Sequence, residues 1–145
     1  MVAFEFSLKR NLLVRVEHNS DLIHFITDLA EDRQIGAATF TVIGALKRAK
    51  IGFYDQEEHE YGQLIIDGPQ EIASCIGNIS MKDGQPFVHA HAVLADEAGN
   101  TKAGHLLEGI VFAAEIHLQE LDGPRLERRY DTVTGLSLWD LEKDH

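Results

Sequence analysis

Apolar and polar residues alternate in the first segment of the chain, from Phe4 to His18. A period of two is typical of a β-strand with one buried face. Arg10 and Asn11 interrupt the alternation with two polar residues of the kind found in turns. The segment therefore predicts a β-hairpin or two sequential strands.

A helical spacing replaces this alternation in the next segment. Ser20 is a good N-cap, and Gly36 provides a C-terminal stop. Between them, apolar residues recur every three or four positions, at Leu22, Phe25, Ile26 and Leu29. The pattern predicts one long helix.

The chain from there to Leu121 is rich in β-branched and aromatic residues, and Gly and Asp-Gly divide it into segments. The predicted strands are "AATFTVIGALKRAKIGFY", "YGQLIID", "PFVHAHAVLA" and "EGIVFAAEIHLQEL". A further segment, "DGPQEIASCIGN", fits either a strand or a short helical turn. We predict an α+β fold, with a mainly antiparallel or mixed β-sheet and one long helix packed on it.

The length and composition suit one compact domain. The chain has 145 residues, of which 44% are hydrophobic and 26% charged, enough to bury a sizeable core. We assign residues 1–145 to a single domain, with a core at 3–121 and a more polar C-terminal tail at 122–145. The apolar "LSLW" near the end of the tail is expected to pack back on the body or on a neighbouring subunit.

Charge and cysteine content indicate which binding partners and which cellular compartment to expect. The net charge is −11, whereas binding to nucleic acid needs a basic surface. Cys75 is the only cysteine and suits a buried small residue better than a nucleophile. The N-terminus lacks a signal pattern, and no apolar run approaches the ~20 residues of a spanning helix. We expect a cytoplasmic protein that contacts neither membrane nor nucleic acid.

Candidate chemistry concentrates in the stretch "HAHAVLADEAGNTKAGH". His89 and His91 are two apart in a predicted strand, so both side chains point to the same face. The pair alone is weak evidence, because eight histidines in this length give roughly 0.4 such pairs by chance. Histidine pairs on strands also occur as hydrogen-bonded surface or interface features.

The turn after this strand predicts where a third histidine lies, which helps to distinguish a metal site from a chance pair. Glu97-Ala98-Gly99 can form a three-residue hairpin loop, with Gly99 in the left-handed conformation. Asp96 then faces Asn100, and His91 falls directly opposite His105. A slip of one residue would send His105 to the other face.

Three imidazoles gathered in this way predict a metal site formed by His89, His91 and His105. Zinc suits such a site first, with iron(II), nickel, cobalt and copper as alternatives. Three protein ligands leave a fourth position open, as in catalytic sites. The opposite face of the strand, at Val88, Ala90, Ala92 and Leu94, is apolar and expected to be buried.

Other catalytic groups are harder to assign from the sequence. The motifs of serine hydrolases, P-loop proteins and Rossmann folds are absent. Glu108 and Glu71 are candidate acids or bases near the metal, and Arg15 is a candidate for binding an anionic substrate group. Each of these three also has an ordinary structural interpretation.

Five segments together resemble the plant and prokaryote conserved domain: "VRVEHNSDLIHFI", "GAATFTVIGAL", "GPQEIASCIGNIS", "GQPFVHAHAVLADEAGNTKAGHLLEG" and "FAAEIHL". The resemblance runs from about Val14 to Leu118. It implies an α+β fold assembled as a homotrimer. It also implies a fold similar to that of alpha-acetolactate decarboxylase, in which an H-x-H pair and a further histidine hold zinc. Carried over, His89, His91 and His105 would be the metal ligands.

The resemblance leaves two function classes open. One is a metal-dependent enzyme acting on a small carbonyl or carboxylate metabolite, and the other is a regulatory or assembly module. Prokaryotic members are often labelled DNA-binding, but this chain has no AT-hook "RGRP" core and is acidic. We therefore expect a homotrimeric, zinc-binding domain that does not bind DNA directly.

Overall fold

The structure is a computed structural model that describes residues 3–140. Its elements, in chain order, are β1 Ser7–Val16, α1 Leu22–Arg33, β2 Ala38–Asp55, β3 Glu60–Lys82, β4 Gln85–Ala95, β5 Thr101–Asp122, β6 Arg128–Tyr130 and β7 Ser137–Trp139. The α+β class is confirmed, with the β-sheet as the dominant part. No helix among the described residues is long and apolar enough to cross a membrane.

The main sheet is antiparallel and has the strand order β1-β5-β2-β3-β4. The start of β5 also pairs with β4, so strands β2 to β5 form a closed circuit. Register shifts within β2, β3 and β5 bend these long strands. At Gly44, where φ is 138°, a Cβ atom would lie 2.2 Å from the Ala113 carbonyl oxygen, so only glycine fits.

The predicted long helix is a short one of 12 residues. Its N-cap is Asp21 rather than Ser20, because the Asp21 carboxylate accepts hydrogen bonds from both His24 N and Gly109 N, each at 2.9 Å. The helix ends at Arg33, before Gly36, because Gln34 adopts the left-handed conformation with φ 56°. The Asp21 carboxylate thus connects the helix to β5 and also accepts a hydrogen bond from a backbone N–H of the first helical turn.

The predicted turn at Arg10-Asn11 is also wrong. These residues lie inside the continuous strand β1, at a register shift between Leu8 and Asn11. The Arg10 side chain forms an ion pair with the buried Glu120 and donates to the Arg33 carbonyl at 2.8 Å. Two polar residues in an alternating pattern therefore mark a bulge here rather than a hairpin.

The ambiguous segment "DGPQEIASCIGN" is part of the strand β3. One face of the curved sheet packs against the helix, whose Leu22, Ile26 and Ala30 are buried. Cys75 lies in this core as predicted, and burial raises the pKa of its thiol to about 11. The thiol is therefore protonated at neutral pH.

The opposite face of the sheet is exposed across its centre. Its cross-strand pairings form one continuous row of neighbours, Leu13, His117, Thr41, Ile76, His91 and His105. We call the part of the sheet formed by Leu13, Ile43, Thr41, Ile76 and His117 the open face. Apolar side chains stand out on it, since Leu13, Ile43 and Ile76 are 84%, 61% and 60% exposed.

The C-terminal tail folds back on the body of the domain. Strands β6 and β7 form a small antiparallel hairpin. A backbone hydrogen bond of 2.8 Å from Met81 N to the Leu126 carbonyl holds the tail against β3. In "LSLW", Leu138 and Trp139 pair with β6 and are 39% and 40% exposed, so the predicted packing of this segment on the body or on a neighbouring subunit stays a prediction.

Candidate metal centre

The β4–β5 hairpin has the predicted turn and register. Asp96 N donates to the Asn100 carbonyl at 3.0 Å, and Gly99, with φ 79°, donates from N to the Asp96 carbonyl at 2.9 Å. The Asp96 carboxylate also accepts from Ala98 N and Asn100 N. His91 consequently lies directly opposite His105.

The three histidines form a compact group on one side of the sheet. The Nε2 atoms of His89 and His91 are 3.1 Å apart. Ring centroids lie 5.1 Å apart for His89–His91 and for His89–His105, and 5.6 Å apart for His91–His105. One ring nitrogen from each residue lies within 4.8 Å of the other two.

His105 carries an unusual polar atom. Its Nδ1 is buried and has no hydrogen-bond partner among the described residues. Leaving such a group unsatisfied typically costs about 1–3 kcal/mol. The ring also packs against Tyr61, at a centroid distance of 5.4 Å. His105 thus contributes one nitrogen to the group of three and has a buried Nδ1 without a partner among the described residues.

The environment favours neutral imidazoles. Burial lowers the pKa of His89 to about 4, with further contributions from His105, Arg128 and His91. Burial, followed by the charges of His91 and Arg128, also lowers the pKa of His105. Neutral imidazole is the form that binds a transition metal, so these two ligands are ready for one at neutral pH.

A concavity of about 540 Å³ adjoins the histidines and opens onto the open face. Besides His89 and His91, it is lined by Thr39, Phe40, Thr41, Ile76, Gly77, Asn78, His117 and Gln119. Most of these side chains carry hydrogen-bonding groups, and Phe40 and Ile76 add apolar surface, which suits a small ligand with oxygen functions.

The predicted acid, base and anion-binding residues lie elsewhere. Glu108 forms a 3.0 Å ion pair with Arg48, and Glu71 is exposed on β3 opposite Ala95. Arg15 lines a second concavity on the open face. None of these three candidates is among the residues that line the histidine concavity.

The sequence analysis missed Arg128, which is only 8% exposed. Its Nε donates to Ser80 Oγ at 2.7 Å, Nη1 to the Ser137 carbonyl at 3.0 Å and Nη2 to Asn78 Oδ1 at 3.0 Å. The guanidinium also lies over the ring of Phe87, at 5.0 Å. In "RLERRY" nothing distinguishes Arg128 from the exposed Arg129, because the contacts depend on how the tail folds back.

Comparison with known proteins gives close matches. Residues 4–122 match the sequence profile of the Plants and Prokaryotes Conserved (PCC) domain. A plant- and prokaryote-conserved protein from Pyrococcus horikoshii is 45% identical, with a TM-score of 0.93 and 99% of each chain covered. A metal-containing protein from Archaeoglobus fulgidus is 42% identical, with a TM-score of 0.93 and coverage of 96% of this chain and 99% of that one.

Two further matches are more distant or partial. The fold is similar to that of alpha-acetolactate decarboxylase from Bacillus subtilis strain 168, with a TM-score of 0.57 and 11% identity over 91% of this chain and 60% of that one. The bifunctional protein GlmU from Synechococcus sp. (strain JA-2-3B'a(2-13)) is 30% identical over 84% of this chain, which spans only 18% of that protein. Since the family profile spans most of the sequence, the chain belongs to the Plants and Prokaryotes Conserved domain family.

Proposed function

We propose that this protein binds one divalent transition metal ion per chain, with His89, His91 and His105 as the ligands and zinc as the first candidate. The observation that carries the proposal is the convergence of three ring nitrogens within 4.8 Å, one histidine having a buried nitrogen without a hydrogen-bond partner among residues 3–140. The relative from Archaeoglobus fulgidus, described as metal-containing, supports it.

One pair of nitrogens already has nearly the separation that tetrahedral zinc requires. Two nitrogens that each lie about 2.1 Å from one zinc ion are about 3.4 Å apart at the tetrahedral angle. The His89 and His91 Nε2 atoms, at 3.1 Å, are already close to that separation. Placing two neutral nitrogens so near each other brings no gain unless a proton or an ion lies between them.

We further propose that the site serves a metal-dependent enzyme that acts on a small carbonyl or carboxylate metabolite. A zinc ion held by three imidazoles polarises a carbonyl or lowers the pKa of a coordinated water to near neutrality. The concavity beside His89 and His91 supports this proposal, since it has room for a small ligand. Its polar side chains, including Asn78 and Gln119, can orient such a ligand by hydrogen bonds.

We also propose that the chain assembles as a homotrimer through the open face. Leu13, Ile43 and Ile76 expose apolar surface on the same face of the sheet, which further copies of the chain would cover. Because the histidine concavity opens onto this face, a neighbouring subunit would form part of its wall. A regulatory or assembly module is the second candidate function, and the same apolar face favours it.

Elemental analysis of the purified protein tests the metal site. We expect close to one transition metal per chain in the wild type, and strong loss in His89→Ala and in His105→Ala. His24→Ala is the matched control, because His24 is exposed on the helix and its loss should leave the metal content unchanged. Absent metal in the wild type, even after incubation with zinc or iron(II), would overturn the proposal.

The enzyme and the module differ in a second measurement. Metal-loaded protein incubated with small oxo and hydroxy acids should consume one of them, followed by NMR of the mixture. If no compound in such a panel turns over while the metal is retained, the assembly module becomes the better account.

A further inference from the structure

The tail hairpin brings a buried cation next to the histidine site. Arg128 is nine-tenths buried, yet no carboxylate within residues 3–140 forms an ion pair with it. The other arginines that form ion pairs, such as Arg48 and Arg129, are far more exposed. The most buried guanidinium of the described chain is thus held by neutral oxygens and by the rings of Phe87 and Trp139, without a carboxylate.

The strand register fixes where this cation lies. Asn78 pairs with His89 across β3 and β4, and Ser80 pairs with Phe87 in the adjacent position of the same face. Positions two apart on a strand are separated by about 6.6 to 6.8 Å. Arg128 bonds to both Asn78 and Ser80, so its guanidinium lies one side-chain position from His89.

The hydrogen bonds leave part of the guanidinium unused. Each of its three nitrogens donates one bond to a described residue, whereas a guanidinium has five N–H groups. Burying a cation without a charged partner is unfavourable, and burial lowers the pKa of Arg128. An anion next to Asn78 would offset this cost by charge attraction.

Asn78 connects the cation to the ligand space. Its Oδ1 accepts from Arg128, and the residue lines the concavity beside His89 and His91. Arg128 itself does not line the concavity, so a ligand there contacts Asn78 on one side, with the guanidinium bonded behind it, and the histidines on the other.

We propose that Arg128 is a specificity-determining residue whose charge, acting through Asn78, selects a small organic acid with an anionic group next to Asn78 and its other oxygen-bearing end at the three histidines. The inference rests on the metal site of the proposed function and narrows its ligand class to acids with two oxygen-bearing ends. A purely structural role, in which Arg128 only anchors the tail through Ser137 and Trp139, would give no preference for an anion.

Binding of succinate and of its monoamide, succinamate, to zinc-loaded protein tests the inference by calorimetry. Both probes keep one carboxylate for the metal, and they differ only in the charge of the far end. We expect succinate to bind the wild type at least tenfold more tightly than succinamate. In Arg128→Gln this ratio should fall below about threefold, while zinc content is retained.

Arg129→Gln is the matched control, because it removes the same charge one residue away, where Arg129 is exposed and paired with Asp140. Its succinate preference should equal that of the wild type. Equal binding of the two probes by the wild type, or an unchanged preference in Arg128→Gln, would overturn the inference.

A variant-free readout covers the case in which Arg128→Gln does not fold. The Nε–H signal of Arg128 in the ¹⁵N spectrum should shift with succinate and much less with succinamate. If the protein retains zinc but succinate does not shift this signal, only the anion site is overturned. If the protein binds no zinc, the proposed function is overturned. The same titration of the metal-free protein then still tests the anion site, because the preference for succinate should persist there with weaker binding.

Discussion

His91 on β4 and His105 on β5 are direct cross-strand neighbours, and the turn at Asp96–Asn100 sets this pairing. Side chains in such a pair point to the same face with Cβ atoms about 4.5–5.5 Å apart. His89, two residues before His91, completes the triangle. The site therefore depends on a hairpin register that three local hydrogen bonds to the Asp96 carboxylate support.

Gly99 is the turn residue on which this register depends most. Its φ of 79° is disfavoured for residues with a Cβ atom, so Gly99→Val should lower the free energy of unfolding by about 1–3 kcal/mol. Chemical denaturation of the metal-free protein measures this change. Ala98→Val, in the same loop at an exposed position, is the control and should have a much smaller effect.

Gly44 should be still less tolerant of substitution. A Cβ atom there would meet the Ala113 backbone at 2.2 Å, and φ is 138°, so Gly44→Ala should destabilise the protein by about 3 kcal/mol or more. Gly62→Ala is the matched control, because its Cβ would meet only the Phe53 carbonyl at 3.7 Å. Similar melting temperatures for the two variants would show that the β2–β5 approach is looser than described here.

The metal-free protein should lose stability as pH falls through the range in which His89 titrates. The pKa of His89 is about 4 in the folded protein, against an ordinary value of 6.5, so the unfolded chain binds the proton more readily. The contribution is complete above pH 6.5 and is lost as pH falls towards 4. Its upper limit is about 3 kcal/mol, reduced by the partial exposure of the ring.

Urea unfolding between pH 7 and pH 4 checks this dependence, with His89→Gln as the comparison. The variant lacks the titrating ring, so its stability should fall less steeply than that of the wild type. Buried or hydrogen-bonded carboxylates such as Glu120 and Asp96 add an acid-dependent loss to both proteins, so only the difference between the two slopes reports on His89. Identical slopes would contradict the assignment.

If the chain assembles as a trimer through the open face, a charged substitution on that face should disrupt the assembly. Ile43→Lys replaces an exposed apolar side chain of the open face by a charged one and should shift the protein to monomers in light scattering at micromolar concentration. Val133→Lys changes an equally apolar, 80% exposed residue in the tail and should leave the assembly intact. A wild type that is monomeric at all concentrations would contradict the trimer.

Local chemistry made the histidine hairpin predictable from the sequence. A turn with Asp at its start and Gly at its left-handed position fixes the register, and the register fixes which side chains meet. The start of the helix was harder to predict, because Ser20 and Asp21 are both good caps. The choice depends on a bond from Asp21 to Gly109 on β5, which no local pattern encodes.

Arg128 illustrates what a local pattern cannot provide. The sequence places two adjacent arginines in a polar tail, and only the docking of the β6–β7 hairpin buries one of them beside His89. The bulge at Arg10 is similar, since its cause is the distant carboxylate of Glu120. In both cases a contact between residues far apart in the chain decides the local structure.

X-ray absorption at the zinc edge of the zinc-loaded protein tests the central claim most directly, because it counts and identifies the ligand atoms. The account predicts a first shell of nitrogen and oxygen atoms only, with a Zn–N distance of about 2.0–2.1 Å and outer-shell scattering from three imidazoles. In His105→Ala, which should hold zinc only when excess zinc is supplied, the imidazole count of the bound zinc should fall by one. A sulfur ligand, or fewer than three imidazoles in the wild type, would contradict the account.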